Sequence, residues 1–84
     1  MDNYDFVLAH RYCTNNKKEL QKDKKCGCFY CLKIYNPEKI SYWITEGNGT
    51  ALCPFCGIDS VIGESSGYPI ETDFLQKMKE YWFG

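Results

Sequence analysis

Two Cys-x-x-Cys pairs, Cys28-Phe29-Tyr30-Cys31 and Cys53-Pro54-Phe55-Cys56, stand 21 residues apart in the chain. No other feature narrows the fold as much. A Cys-x-x-Cys turn aims two sulfurs at one point, and two such turns supply the four soft ligands of a tetrahedral zinc ion at about 2.3 Å. The separation slightly exceeds the roughly 15–20 residues of the usual four-cysteine signature, a difference that a helix between the two knuckles would take up. Pro54 stiffens the second turn, and Gly57 offers the positive φ that a tight knuckle needs just after its second cysteine. The expected cofactor is one Zn2+ held by Cys28, Cys31, Cys53 and Cys56.

An 84-residue chain is one domain with a core of marginal size. Metal binding to such a site is folding free energy, which compensates for that small core. The 17% aromatic content argues for a folded rather than a disordered chain. Six cysteines would also suit the disulfide framework of a small secreted domain. Against this, Met1-Asp2-Asn3-Tyr4-Asp5 contains no apolar run of signal-peptide length. No stretch approaches the roughly 20 apolar residues of a membrane span. The expectation is a reduced, cytoplasmic protein with no membrane partner.

Net charge is −1, which gives no global pull toward nucleic acid. The distribution is less even. Residues 10–33 carry seven cations against two acids, a net of +5, whereas residues 34–84 carry three cations against seven acids, a net of −4. Lys17, Lys18, Lys24 and Lys25 in the basic stretch are candidate partner contacts, set against the plainer reading of a solvated helix face.

Three segments follow: an N-terminal helical segment at 1–25, a zinc-binding core at 26–70 and a C-terminal helix at 71–84. Phe6, Ala9, Cys13, Asn16 and Leu20 recur at helical spacing over 5–24, with a weak point at Thr14-Asn15-Asn16 where two shorter helices would meet. Asn36-Pro37-Glu38 reads as a helix start, and Ile40, Trp43 and Ile44 as one face of a helix of two to three turns. Thr50–Leu52 and Ile58–Ile62 read as the two strands of a hairpin flanking the second knuckle. Residues 63–69 form a loop whose Tyr68 is a further candidate partner contact. Phe74, Leu75, Met78, Tyr81 and Trp82 mark the last helix, capped by Thr72 or Asp73.

Four thiolates close a tetrahedral site, and a closed site does not activate water. With a lone histidine, His10, and no phosphate loop or nucleophile–base pair, the chain is expected not to be an enzyme. Cys26 is a spare thiol or a substitute for Cys28, Cys13 a small buried hydrophobe, and His10 a packing side chain or an alternative ligand. Asp59, close to the metal in sequence, would hydrogen-bond turn amides. Phe29, Tyr30, Trp43 and Phe55 would mostly build the core, with base stacking as the alternative.

The run Cys26-Gly-Cys-Phe-Tyr-Cys-Leu, together with Thr50-Ala-Leu-Cys-Pro-Phe-Cys-Gly-Ile-Asp-Ser-Val-Ile-Gly, resembles a family of small cytoplasmic bacterial proteins. Its members share the knuckle pair, a Ser-Gly-Tyr-Pro-Ile stretch like 66–70 and an aromatic C-terminus like Tyr81-Trp82-Phe83. The resemblance implies a metal and a compartment but no activity. The knuckles are also similar to those of the zinc-ribbon and rubredoxin-like superfamily. Cys53-Pro-Phe-Cys-Gly matches the rubredoxin pattern, whereas the first knuckle has Leu32 in place of its glycine, which counts against an iron electron carrier.

The expected fold is α+β and zinc-ribbon-like: two zinc knuckles on short β-hairpins with flanking helices. The expected role is a structural-zinc protein-interaction module. A nucleic-acid-binding zinc ribbon and a rubredoxin-like iron carrier are the alternatives.

Overall fold

The computed structural model describes residues 5–84, so the first four residues of the 1–25 segment lie outside the described residues. The architecture is α+β. Helix α1 (Asp5–Leu8) tightens into a 3-10 turn (Ala9–Cys13), and α2 (Lys17–Lys22) follows. Strands β1 (Cys26–Cys28) and β2 (Ile34–Tyr35) are joined by the first knuckle. A 3-10 turn at Pro37–Lys39 leads to β3 (Trp43–Ile44) and β4 (Thr50–Ala51). The second knuckle follows, then β5 (Val61–Gly63), a 3-10 turn (Glu64–Ser66) and α3 (Thr72–Trp82).

The N-terminal segment breaks where its sequence is weakest. Thr14 is extended and Asn15 adopts φ 50°, so the chain turns instead of continuing as a helix. The freed groups are not wasted: the Asn15 amide donates to Thr50 Oγ1 at 2.8 Å, and Asn15 Oδ1 accepts from the Asn48 amide at 3.1 Å. The buried Asn16 donates through Nδ2 to the Tyr12 and Val61 carbonyls at 3.0 and 2.8 Å, and accepts from the Ala51 amide at 3.1 Å. A run of helix-breaking polar residues thus pins the N-terminal helices to β4 and β5.

The expected helix after Asn36 is not formed. Asn36 does cap a turn, its Oδ1 accepting from the Glu38 amide at 2.9 Å, but the turn ends after Lys39. Ile40 is extended, and Trp43 and Ile44 pair antiparallel with Ala51 and Thr50. Residues 40–45 are mostly β-branched or aromatic, which suits a strand, and the turn at 46–49 places Gly47 and Gly49 at positive φ. The second expected hairpin is also rearranged. β4 pairs with β3, while β5 crosses to pair antiparallel with β1, giving the order β2-β1-β5. The first knuckle therefore sits on a β-hairpin, and the second bridges two different sheets.

The three-stranded sheet separates two apolar clusters. On one side, Ala9, Cys13, Phe29, Ile62, Ile70, Phe74, Leu75 and Met78 pack together. On the other, Leu20, Cys26, Tyr35, Ile40, Ala51 and Val61 surround Cys28 and Cys53. Strand alternation accounts for the division, since Val61 and Ile62 point to opposite faces. Gly27 stands between Cys26 and Cys28 on the α3 side, where a Cβ would lie 2.7 Å from Leu75 Cδ1. Its missing side chain lets α3 rest on the sheet. Each fully buried side chain such as Phe29, Leu75 or Met78 contributes about 1.5–3 kcal/mol. Among the described residues, no helix is long and apolar enough to cross a membrane.

Candidate metal centre

Each knuckle is a closed backbone turn. The Leu32 amide donates to the Cys28 carbonyl at 2.9 Å, and the Gly57 amide donates to the Cys53 carbonyl at 2.8 Å. Both turns require a left-handed residue just past the second cysteine. Gly57 takes φ 79°, and Leu32 takes φ 67°. Leucine thus occupies the conformation that the rubredoxin pattern assigns to glycine, and the departure in sequence is not a departure in backbone. Its side chain packs against the cluster containing Phe29, which offsets a strain of about 1–2 kcal/mol.

The two turns bring Cys28, Cys31, Cys53 and Cys56 together, all four sulfurs lying within 4.8 Å of one another. Cys28 Sγ is 3.6 Å from Cys56 Sγ, and Cys31 Sγ is 3.7 Å from Cys53 Sγ. A tetrahedron with metal–sulfur distances near 2.3 Å has edges of about 3.8 Å, so the four sulfurs fit such a group. They are too far apart for disulfides, whose S–S bond is about 2.05 Å. The predicted ligands are therefore the four that the fold assembles. The spacing suits a tetrahedral metal ion without distinguishing zinc from iron.

Donors converge on the sulfurs. Cys28 Sγ accepts from the amides of Tyr30 at 3.3 Å and Cys31 at 3.4 Å, and lies 2.9 Å from the buried Ser60 hydroxyl. The amides of Phe55 and Cys56 pull the Cys53 thiol down, and those of Lys33 and Ile58 act in the same direction on Cys31 and Cys56. Burial raises the Cys53 thiol, but the nearness of the Tyr35 hydroxyl, of backbone amides and of the Cys31 thiol outweighs it and brings the pKa to about 7. Burial pushes the Cys31 and Cys56 thiols up, and a bound cation would reverse that order by holding all four as thiolates.

The remaining candidates are accounted for differently. Cys26 is buried beside the centre but is not among the four, and burial pushes its thiol to about 12. Cys13 is buried in the other cluster, where burial raises it to about 11. His10 packs its ring on Trp82 at 4.0 Å and is not part of the cluster. Asp59 is exposed, and among the described residues it makes no hydrogen bond to a knuckle amide. Of the four aromatics, Phe29 is core, whereas Tyr30 and Phe55 at the knuckle tips are 38% and 51% exposed.

The candidate partner contacts do not form one site. Lys17 lies over the Trp43 ring at 5.6 Å, and Lys18 is exposed. Lys24 and Lys25 donate their backbone amides to Glu64 Oε1 at 3.0 and 2.9 Å. Tyr68 stacks on Phe74 at 5.7 Å and shares a shallow hollow with Lys25. The loop at 63–69 is thereby tied down, with Asp23 also accepting from the Ser65 amide.

Two residues near the centre have no part in the motif reading: Ser60 and Tyr35. Each stands four positions after the second cysteine of its knuckle, a repeated offset that the sequence displays. No family model, curated protein or solved structure matches the chain.

Proposed function

We propose that this chain is a structural-zinc domain, without enzymatic activity, that serves as a protein-interaction module. The metal reading rests on the four converging sulfurs and the donors aimed at them. Four thiolates complete a tetrahedral zinc shell, leaving no position for a reacting water. The interaction reading is carried by one observation: the aromatic residues around the chain end stay at the surface. Tyr81, Trp82, Phe83 and Tyr30 are all more than a third exposed, and Tyr30 and Phe83 meet edge-on at 4.8 Å. Aromatic rings of this kind are enriched at protein interfaces.

Affinity capture with zinc-loaded wild type and a Tyr30→Ala/Phe83→Ala variant tests this reading. A protein retained by the wild type and lost by the variant, at equal zinc content, is the expected result. Equal retention by both would remove the aromatic surface from the proposal.

A second reading, single-stranded nucleic-acid binding, is favoured by one feature. Lys33 lies 5.4 Å from the Phe55 ring and Lys79 lies 5.5 Å from the Tyr30 ring, so both knuckle tips pair a ring with a cation. An oligonucleotide titration at two salt concentrations separates the readings, because phosphate contacts weaken steeply with salt. An iron electron carrier is the third reading, and visible absorption of the purified protein distinguishes it from colourless zinc.

A further inference from the structure

The buried sulfurs are Cys28 and Cys53, at 0% and 2% exposure, while Cys31 and Cys56 are partly exposed. A tetrathiolate zinc centre carries a net charge of −2. Water can solvate the outer two sulfurs, but the inner two depend on protein donors for the same service. Each inner sulfur shares its buried surroundings with one side-chain hydroxyl. For Cys28 it is Ser60, itself 1% exposed, at 2.9 Å. For Cys53 it is Tyr35, on β2 and buried in the same cluster.

The Tyr35 hydroxyl is the one buried side-chain polar atom, among the described residues, that completes no hydrogen bond. It belongs to the buried cluster that also holds Cys53 and Cys26. A buried hydroxyl without a partner costs about 1–3 kcal/mol, so its placement asks for an acceptor better than a thiol. A metal-bound Cys53 thiolate is that acceptor, since hydrogen bonds to ionised groups are roughly twice as strong as neutral ones. The arrangement is crossed. Tyr35 follows the first knuckle and serves the second, and Ser60 follows the second and serves the first.

We propose that the Tyr35 and Ser60 hydroxyls are the positioning donors for the two buried metal ligands, each knuckle supplying the hydroxyl that holds the other knuckle's inner sulfur. This rests on the metal reading above and extends it to residues outside the cysteine motif.

The test compares wild type with Tyr35→Phe, Ser60→Ala and Ser60→Thr, each loaded with Zn2+ and, separately, with Co2+. Zinc affinity is measured by chelator competition, and the sulfur-to-metal charge-transfer band is recorded on the cobalt forms. Tyr35→Phe and Ser60→Ala are each expected to weaken zinc binding by about 10–100-fold and to move the charge-transfer band to longer wavelength. Ser60→Thr keeps the hydroxyl and should retain the wild-type band. A packing role alone would leave the band unmoved in Tyr35→Phe, because the ring that meets Phe55 at 5.2 Å is preserved. One bound metal with wild-type affinity and an unmoved band in both Tyr35→Phe and Ser60→Ala would overturn the proposal while sparing the metal centre. Failure of the wild type to bind either ion would overturn both.

Discussion

Replacing Asn16 by alanine removes three hydrogen bonds, two of which join elements far apart in sequence. The Ala51 amide loses Oδ1, and the Val61 carbonyl loses Nδ2, at 3.1 and 2.8 Å. The third partner, the Tyr12 carbonyl at 3.0 Å, is only partly buried and can turn to water. Ala51 and Val61 are both 0% exposed, so no solvent reaches their freed backbone groups. Two buried backbone groups left without partners, at about 1–3 kcal/mol each, give a loss of about 2–6 kcal/mol. For a domain of this size that is a fall in Tm of at least about 8 °C. Urea unfolding of both proteins at the same free zinc concentration reads the difference, since zinc bound only by the native state shifts apparent stability. Asn16→Asp, which keeps the acceptor and loses the donor, should also destabilise. A loss under about 1 kcal/mol in Asn16→Ala would refute the role given to this side chain.

Three further outcomes are expected. Cys53→Ser should lose the metal and unfold or aggregate, whereas Cys13→Ala should keep wild-type metal content; metal analysis and circular dichroism read both. Gly27→Ala, with its Cβ 2.7 Å from Leu75 Cδ1 and 3.2 Å from Ile70 Cγ2, should cost about 1–3 kcal/mol in urea unfolding. Gly57→Ala, at φ 79° with nothing within 4 Å of the added Cβ, should cost about 1–2 kcal/mol through the backbone alone and leave metal stoichiometry unchanged.

The clustering of the four cysteines was readable from the sequence because a Cys-x-x-Cys knuckle is a local structure, set by spacing and by the residues inside each turn. The C-terminal helix was readable for a similar reason: Phe74, Leu75 and Met78 declare one face, and that face is buried. The segment 40–44 was not, because Ile40, Trp43 and Ile44 satisfy helical spacing equally well. What decides it lies elsewhere, in the pairing of Trp43 with Ala51. The crossing of β5 to β1 was hidden for the same reason, being a long-range choice between two strands of equal local quality. Asn16 shows a subtler limit. Its place on the buried stripe was legible, but its side chain completes hydrogen bonds with strands 35 and 45 residues away. Tyr35 and Ser60 escaped a motif reading because hydroxyls carry no metal-ligand signature, and only their shared offset from the cysteines marks them.

The central claim is that Cys28, Cys31, Cys53 and Cys56 hold one metal ion. Native mass spectrometry of the purified chain, set beside its denatured mass, tests this directly. The account predicts a native mass higher by one zinc ion, with all six cysteines still reduced in the denatured spectrum. A chain that carries no metal and has lost the hydrogens of three disulfides would contradict it.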